Sequence, residues 1–287
     1  MSKMKSFSTR CVLLVLALCV VVSSCVAAEP KGWLIVEGGM WPPNPRIADK
    51  FRELIGGADA PVLFIPTAAS DERLQEAKAT GEVEKIFKEL GLNNCKLWHT
   101  RDRNEANSEA FVAPLRATKG VWIHGGHNPL LAEAYVGTRV QKELQAFYER
   151  GGVIAGPSAG AMIMGSFLVQ PGKSDEKGNT VLLVSPTNHE GFGLLENVVV
   201  VPHVNQRHLE GALVPIIAEH PELLGIGIDA GTGILVHSHW FEVIGGSDAR
   251  VTITDGKQHN GNPYYFLHLG DRFDLAKRVA ATSAHIR

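Results

Sequence analysis

Apolar and polar positions along the chain alternate between two periods. Short, nearly unbroken apolar runs at residues 33–36, 61–65, 96–99, 120–124 and 152–155 read as strands buried on both faces. Between them the spacing changes to the helical period. It predicts helices at 46–55, stopped by Gly56-Gly57, at 72–90, stopped by Gly91, at 108–116, with Pro114 near its end, and at 140–148. Strands alternating with helices imply an α/β fold, a mainly parallel sheet flanked by helices on both faces. The last third changes character. Short strands at 181–184, 198–201, 224–228, 233–236, 240–244 and 251–254, with a helix from about Arg207, predict an antiparallel C-terminal portion.

The two ends of the apolar scale bound the rest. Lys3, Lys5 and Arg10, the apolar stretch 11–22 and the small residues Ser23, Ser24, Cys25, Val26, Ala27 and Ala28 have the order of a secretory signal peptide over residues 1–28. Two fates stay open: cleavage after Ala28, or lipid attachment at Cys25, because Val22-Ser23-Ser24-Cys25 resembles a lipobox. Either predicts an exported protein, periplasmic or extracellular, with membrane attachment only through a lipidated Cys25. No later segment approaches the roughly 20 apolar residues of a membrane span.

Removing the segment takes the net charge from −2 to about −5, which argues against a nucleic-acid partner. Cys11, Cys19 and Cys25 leave with it, so Cys95 stands alone in the remainder and no intramolecular disulfide is expected. Residues 29–287 show no linker, repeat or charge block and read as a single domain.

One turn carries the chemistry. Gly156-Pro157-Ser158-Ala159-Gly160 follows an apolar strand and precedes Ala161-Met162-Ile163-Met164, the placement of a nucleophile elbow. A tight strand-to-helix turn lifts the hydroxyl from the sheet, and small neighbours allow the turn. The Ala159 N–H would be one oxyanion donor. Of the twelve histidines, His203 is the expected base, since it follows an apolar strand and sits where a strand's carboxyl end meets a loop. For the acid, Asp175, Glu176, Glu190 and Asp229 compete. His237 and His239 alternate on one strand without a third ligand, so no metal is assigned, and no cofactor is required.

These residues together resemble the cyanophycinase and aspartyl-dipeptidase family of serine peptidases, whose fold is similar to class I glutamine amidotransferases. The resemblance runs through Leu34-Ile35-Val36-Glu37-Gly38-Gly39, Ile65-Pro66-Thr67-Ala68-Ala69-Ser70, Gly125-Gly126, the elbow itself, and Gly225-Ile226-Gly227-Ile228-Asp229. It implies a triad of Ser158, His203 and Glu176, a second oxyanion donor at Gly126, and a homodimer. Substrate-binding positions would be His127, Asn128 and Arg207.

The departures are as informative. His127-Asn128 stands where the family has an acid or amide followed by Gln. Val201-Pro202 replaces Asp-Gln before the histidine. Of the arginines that follow it, only Arg207 is kept, with Leu209 and Ala212 at the other places. The expectation is therefore hydrolysis of peptide or isopeptide bonds, in aspartate-containing peptides or polymers or in a different substrate. The rivals are a catalytically silent relative binding a peptide or glycan, and an α/β-hydrolase-type esterase using Asp229 with His268 or His285.

Overall fold

The computed structural model describes residues 29–40, 42–174 and 180–281. The signal-peptide segment, Cys25, Asp175, Glu176 and His285 lie outside them. The first half is an α/β alternation: β1 (Trp33–Glu37), α1 (Pro45–Ile55), β2 (Val62–Ile65), α2 (Asp71–Ala79), α3 (Glu82–Glu89), β3 (Cys95–Leu97), α4 (Arg103–Ala106), α5 (Glu109–Val112), β4 (Gly120–Ile123), α6 (Asn128–Tyr135), α7 (Arg139–Glu149) and β5 (Val153–Pro157). After it come α8 (Ala159–Met162), β6 (Gly165–Phe167), β7 (Gln170–Ser174), β8 (Thr180–Leu183), β9 (Leu195–Pro202), α9 (Val204–Arg207), α10 (Val214–Glu219) and β10 (Leu224–Ile228). The chain then finishes with β11 (Thr232–His237), β12 (Trp240–Gly245), β13 (Arg250–Thr254), β14 (Tyr265–His268), β15 (Arg272–Asp274) and β16 (Val279–Ala281).

Among the described residues the main sheet has the order β16-β15-β12-β11-β1-β5-β4-β2-β3. The five strands from β1 to β3 are parallel, and β11 joins β1 antiparallel to begin the meander. Parallel strands need cover on both faces, and the side chains divide accordingly. Ile35, Phe64, Trp122 and Ala155 pack under α1 and α3, while Leu34, Ile123 and Ile154 pack under α6, α7 and α8. Helix α1 shows why the sequence folds this way locally. Asn44 caps its start by accepting from the Arg46 N–H, Pro45 opens it, Ile47, Ala48, Phe51 and Ile55 bury one face, and Gly56 closes it in the left-handed conformation.

The α/β architecture with an antiparallel C-terminal portion is borne out, with these differences. The helix expected from about Arg207 is instead a single turn that ends there, Val204–Arg207, with a separate helix at Val214–Glu219. The helix expected over 72–90 is two helices, because Gly81 turns left-handed (φ 69°) between Thr80 and Glu82. The one over 108–116 is a single α turn followed by the 3₁₀ turn Ala113–Arg116, with Pro114 at its second position. A second sheet, β14-β13-β10-β9-β6, stands apart from the first, and within it β9 pairs parallel with β10 and β6.

Candidate active site

Ser158 stands at the carboxyl end of β5, and its backbone is held by the neighbouring strand. Glu37, the last residue of β1, pairs in register with Pro157, and its carbonyl accepts the Ser158 N–H at 3.1 Å. The serine takes φ 55° and ψ −117°, a region that residues with a side chain rarely occupy. Two glycines make this turn sterically accessible. A Cβ on Gly156 would fall 2.5 Å from the Ile123 carbonyl oxygen, and one on Gly160 would fall 2.0 Å from the same atom. Strand β4 can approach the elbow only because both positions lack a side chain.

His203 comes from the second sheet. It follows β9 in the left-handed conformation (φ 60°, ψ 30°), and its N–H donates to the Gly38 carbonyl at 2.8 Å. That bond ties the histidine loop to the end of β1. The imidazole Nε2 lies 3.0 Å from Ser158 Oγ. Gly39 is packed on the ring, and a Cβ there would sit 2.4 Å from His203 Cε1. Burial holds the imidazole below its usual pKa, Arg207 adds to that by charge, and the hydrogen bond to Gln206 opposes it. A neutral imidazole at neutral pH can accept the serine proton.

The other ring nitrogen, Nδ1, is 3.0 Å from Oε1 of Gln206. An amide oxygen only accepts, so Nδ1 carries the hydrogen and the Nε2 lone pair faces the serine. Among the described residues no carboxylate touches the ring. Asp229 is 5% exposed and bound to Arg250 at 2.8 Å, a structural pair between β10 and β13. Glu190 is exposed and pairs its backbone with Phe167. Glu176 and Asp175 fall outside the described residues.

The Gly125-Gly126 loop follows β4 directly beside the elbow, and a Cβ on Gly125 would lie 3.2 Å from Ser158 Cβ. Gly126 (φ 143°) packs on the Ala68 carbonyl, and Ala159 is the first residue of α8. His127 is exposed at the loop's end, its N–H on the Ala68 carbonyl at 2.8 Å. Asn128 turns inward: it is 7% exposed and its side-chain amide donates to the Val169 carbonyl at 3.3 Å. Arg207 ends α9, exposed and close enough to His203 to act on it by charge. Leu209 is buried with Val201, Val204 and Leu213, and Ala212 packs against that cluster. The two positions that exchange arginine for an apolar residue thus belong to the core.

Two further residues belong to the site. Gln206 is one, legible only as the position three residues beyond His203. Glu37 is the other: it is fully buried, and burial pushes its carboxyl up to about 8 against the opposing Asn44 backbone N–H. Its signal was a single acid closing the apolar run Leu34-Ile35-Val36. The remaining candidates are placed elsewhere. His237 stacks on Trp33 and binds the Gly32 carbonyl at 2.9 Å, and burial pushes the Cys95 thiol up to about 12. Among the described residues no group of three or more His, Cys, Asp and Glu is arranged to hold a metal ion.

The chain is similar to known peptidases. The chain is 30% identical over 249 residues to the cyanophycinase of Nostoc sp. PCC 7120, covering 80% of each, and equally to the cyanophycinase of Trichormus variabilis. A peptidase from an acI-B1 actinobacterium superposes with a TM-score of 0.63 at 25% identity, over 86% of this chain and 98% of that one. A putative peptidase E from Listeria monocytogenes, at 20% identity and TM-score 0.54, covers 75% of this chain and 99% of its own, and shares the fold. Sheet, elbow and relatives define a serine-type peptidase on a class I glutamine amidotransferase-like fold. The chain belongs to peptidase family S51, whose profile matches residues 34–244.

Proposed function

We propose that this peptidase is exported and hydrolyses peptide or isopeptide bonds through Ser158 and His203. The observation that carries the reading is the 3.0 Å contact between Ser158 Oγ and His203 Nε2, made from a strained elbow. Nε2 takes the hydroxyl proton as Oγ attacks the scissile carbonyl. The Ala159 and Gly126 amides bind the resulting oxyanion. The C–N bond then breaks as the imidazolium returns the proton to the leaving amine. Water, activated by the same imidazole, hydrolyses the acyl-enzyme. Gln206 keeps the ring in the required tautomer, and Glu176 is the carboxylate that the family resemblance assigns to the same ring.

His268 lies on β14, beyond β13 in the second sheet, so the serine contact supports His203 as base over the esterase arrangement. The relatives' name directs the first assay to aspartyl peptides and to β-aspartyl-arginine polymer. Arg207, exposed beside His203, would clamp a substrate carboxylate on the leaving-group side. Export and the choice between cleavage after Ala28 and lipidation of Cys25 rest on the order of charges and small residues in 1–28; a homodimer rests on the resemblance alone. The mechanism is tested by assaying the protein and its Ser158→Ala variant on these substrates: hydrolysis should disappear with the hydroxyl, and full turnover by the variant refutes the role of Ser158.

A further inference from the structure

Arg101 takes no part in the mechanism, yet its guanidinium grips the loop against which Gly126 packs. That loop, Pro66-Thr67-Ala68-Ala69-Ser70, follows the carboxyl end of β2 and is drawn into a turn by the Ala69 N–H on the Pro66 carbonyl at 2.9 Å. Nη2 of Arg101 donates to the Thr67 carbonyl at 3.3 Å and also to the Ala69 carbonyl. Nη1 pairs with Asp71, the first residue of α2, at 2.9 Å. Two carbonyls of one loop are thus held by a single planar fork, which a guanidinium allows and a side chain with one donor does not.

The carbonyl between those two serves the neighbouring loop. Ala68 accepts the His127 N–H at 2.8 Å, and a Cβ on Gly126 would fall 2.4 Å from the same oxygen. Gly126 has φ 143° at this contact, a conformation open to glycine. The backbone that carries the Gly126 amide is therefore held by Ala68 on one side and by the elbow on the other, where a Cβ on Gly125 would lie 3.2 Å from Ser158 Cβ. Fixing the carbonyls before and after Ala68 fixes the direction of its own.

The start of the loop has a second anchor. Thr67 is fully buried, and its hydroxyl meets the Tyr135 hydroxyl and His99 Nδ1, each at 2.8 Å. Tyr135 in turn accepts the Thr100 N–H at 3.2 Å, which joins the loop to the residue before Arg101. Burial holds the His99 imidazole below its usual pKa, and the charge of Arg101 adds to that. This network secures Thr67. The Ala69 end is secured by Arg101.

We propose that Arg101 is a positioning residue for the reaction: by gripping the Thr67 and Ala69 carbonyls it aims the Ala68 carbonyl at Gly126 and His127, and so places the Gly126 N–H for the oxyanion. The proposal rests on the assignment of Ser158 and Gly126. Its test is the rate at which a fluorophosphonate labels the full-length protein. In that reaction Oγ bonds to phosphorus as fluoride leaves, His203 takes the hydroxyl proton, and the phosphonyl oxygen takes the oxyanion's place. Arg101→Met keeps an unbranched apolar stem and removes every donor. Labelling should slow by about 10- to 100-fold. On an aspartyl peptide kcat should fall by the same factor, with KM within about threefold of the parent. Asp71→Asn, which weakens only the outer pair of the guanidinium, should label within about threefold of the parent rate. Should Arg101→Met fail to fold, Arg101→Lys replaces it: one ammonium cannot repeat the grip, and labelling should slow by about tenfold. Labelling of the folded variant at the parent rate with only a lower urea midpoint, a change in KM in place of kcat, or equal slowing in Asp71→Asn overturns the positioning role alone. A parent protein that the fluorophosphonate does not label overturns the catalytic reading beneath it.

Discussion

Ser158 Oγ and His203 Nε2 are 3.0 Å apart although 45 residues separate them in sequence and they sit on different sheets. What joins the two sheets at this point is the end of β1: Glu37 holds the serine's N–H through its carbonyl, Gly38 holds the histidine's, and Gly39 packs on the ring. The proposed base and the proposed nucleophile are therefore positioned by one tripeptide.

That dependence predicts the behaviour of Gly39→Ala. A Cβ 2.4 Å from His203 Cε1, at a position with φ 91°, must displace the ring. We expect kcat/KM to fall at least about tenfold, with a far-ultraviolet circular dichroism spectrum like that of the parent protein. Unchanged kcat/KM would show that the ring's place is set elsewhere.

The pH profile should respond to two neighbours with opposite signs. His203 titrates below its usual 6.5, so the acid limb of kcat/KM should lie below that value. Arg207 lowers the pKa by charge; Arg207→Ala should move the limb up. Gln206 raises it by hydrogen bonding; Gln206→Ala should move it down. Limbs that move together, or not at all, would assign the profile to another group.

Glu37 should make stability depend on pH. Its folded-state pKa of about 8 exceeds the ordinary 4.5, so above 4.5 the unfolded chain has lost a proton that the native state keeps. Stability then falls as pH rises through this window, by an amount of order several kcal/mol at most. Glu37→Gln keeps the shape without the charge. Urea unfolding of that variant should show a flatter dependence between pH 5 and 8 and higher stability at the alkaline end.

Asp229, a competitor for the triad acid by sequence, should behave as a structural residue. Asp229→Asn weakens the contact with Arg250 and should cost about 1–3 kcal/mol, since Arg250 is partly exposed. Turnover by the folded variant should stay within about threefold of the parent. A collapse of kcat at full stability would return Asp229 to the catalytic set.

The parallel core was legible because both-face burial writes itself as unbroken apolar runs such as Leu34-Ile35-Val36 and Val121-Trp122-Ile123. The elbow was legible because its glycines answer a local steric need. Helix α6 was not: His127 at its start makes no side-chain cap, and Pro129 in its first turn reads equally as a loop residue. The break between α2 and α3 rests on one left-handed glycine inside a continuous helical pattern. The second sheet depends on which strands meet over long separations, and no local period records that β9 lies parallel to β10. Gln206 was not legible for a chemical reason: its amide oxygen accepts from Nδ1 in the place where a triad carries a carboxylate.

The central claim is that Ser158 becomes acylated with His203 as its base. Intact mass spectrometry after exposure to a fluorophosphonate, followed by peptide mapping, measures this directly. We predict a single adduct on Ser158, none in Ser158→Ala, and labelling slowed by about a thousandfold in His203→Ala. No adduct on the parent protein, or an adduct that forms equally fast without His203, would contradict it.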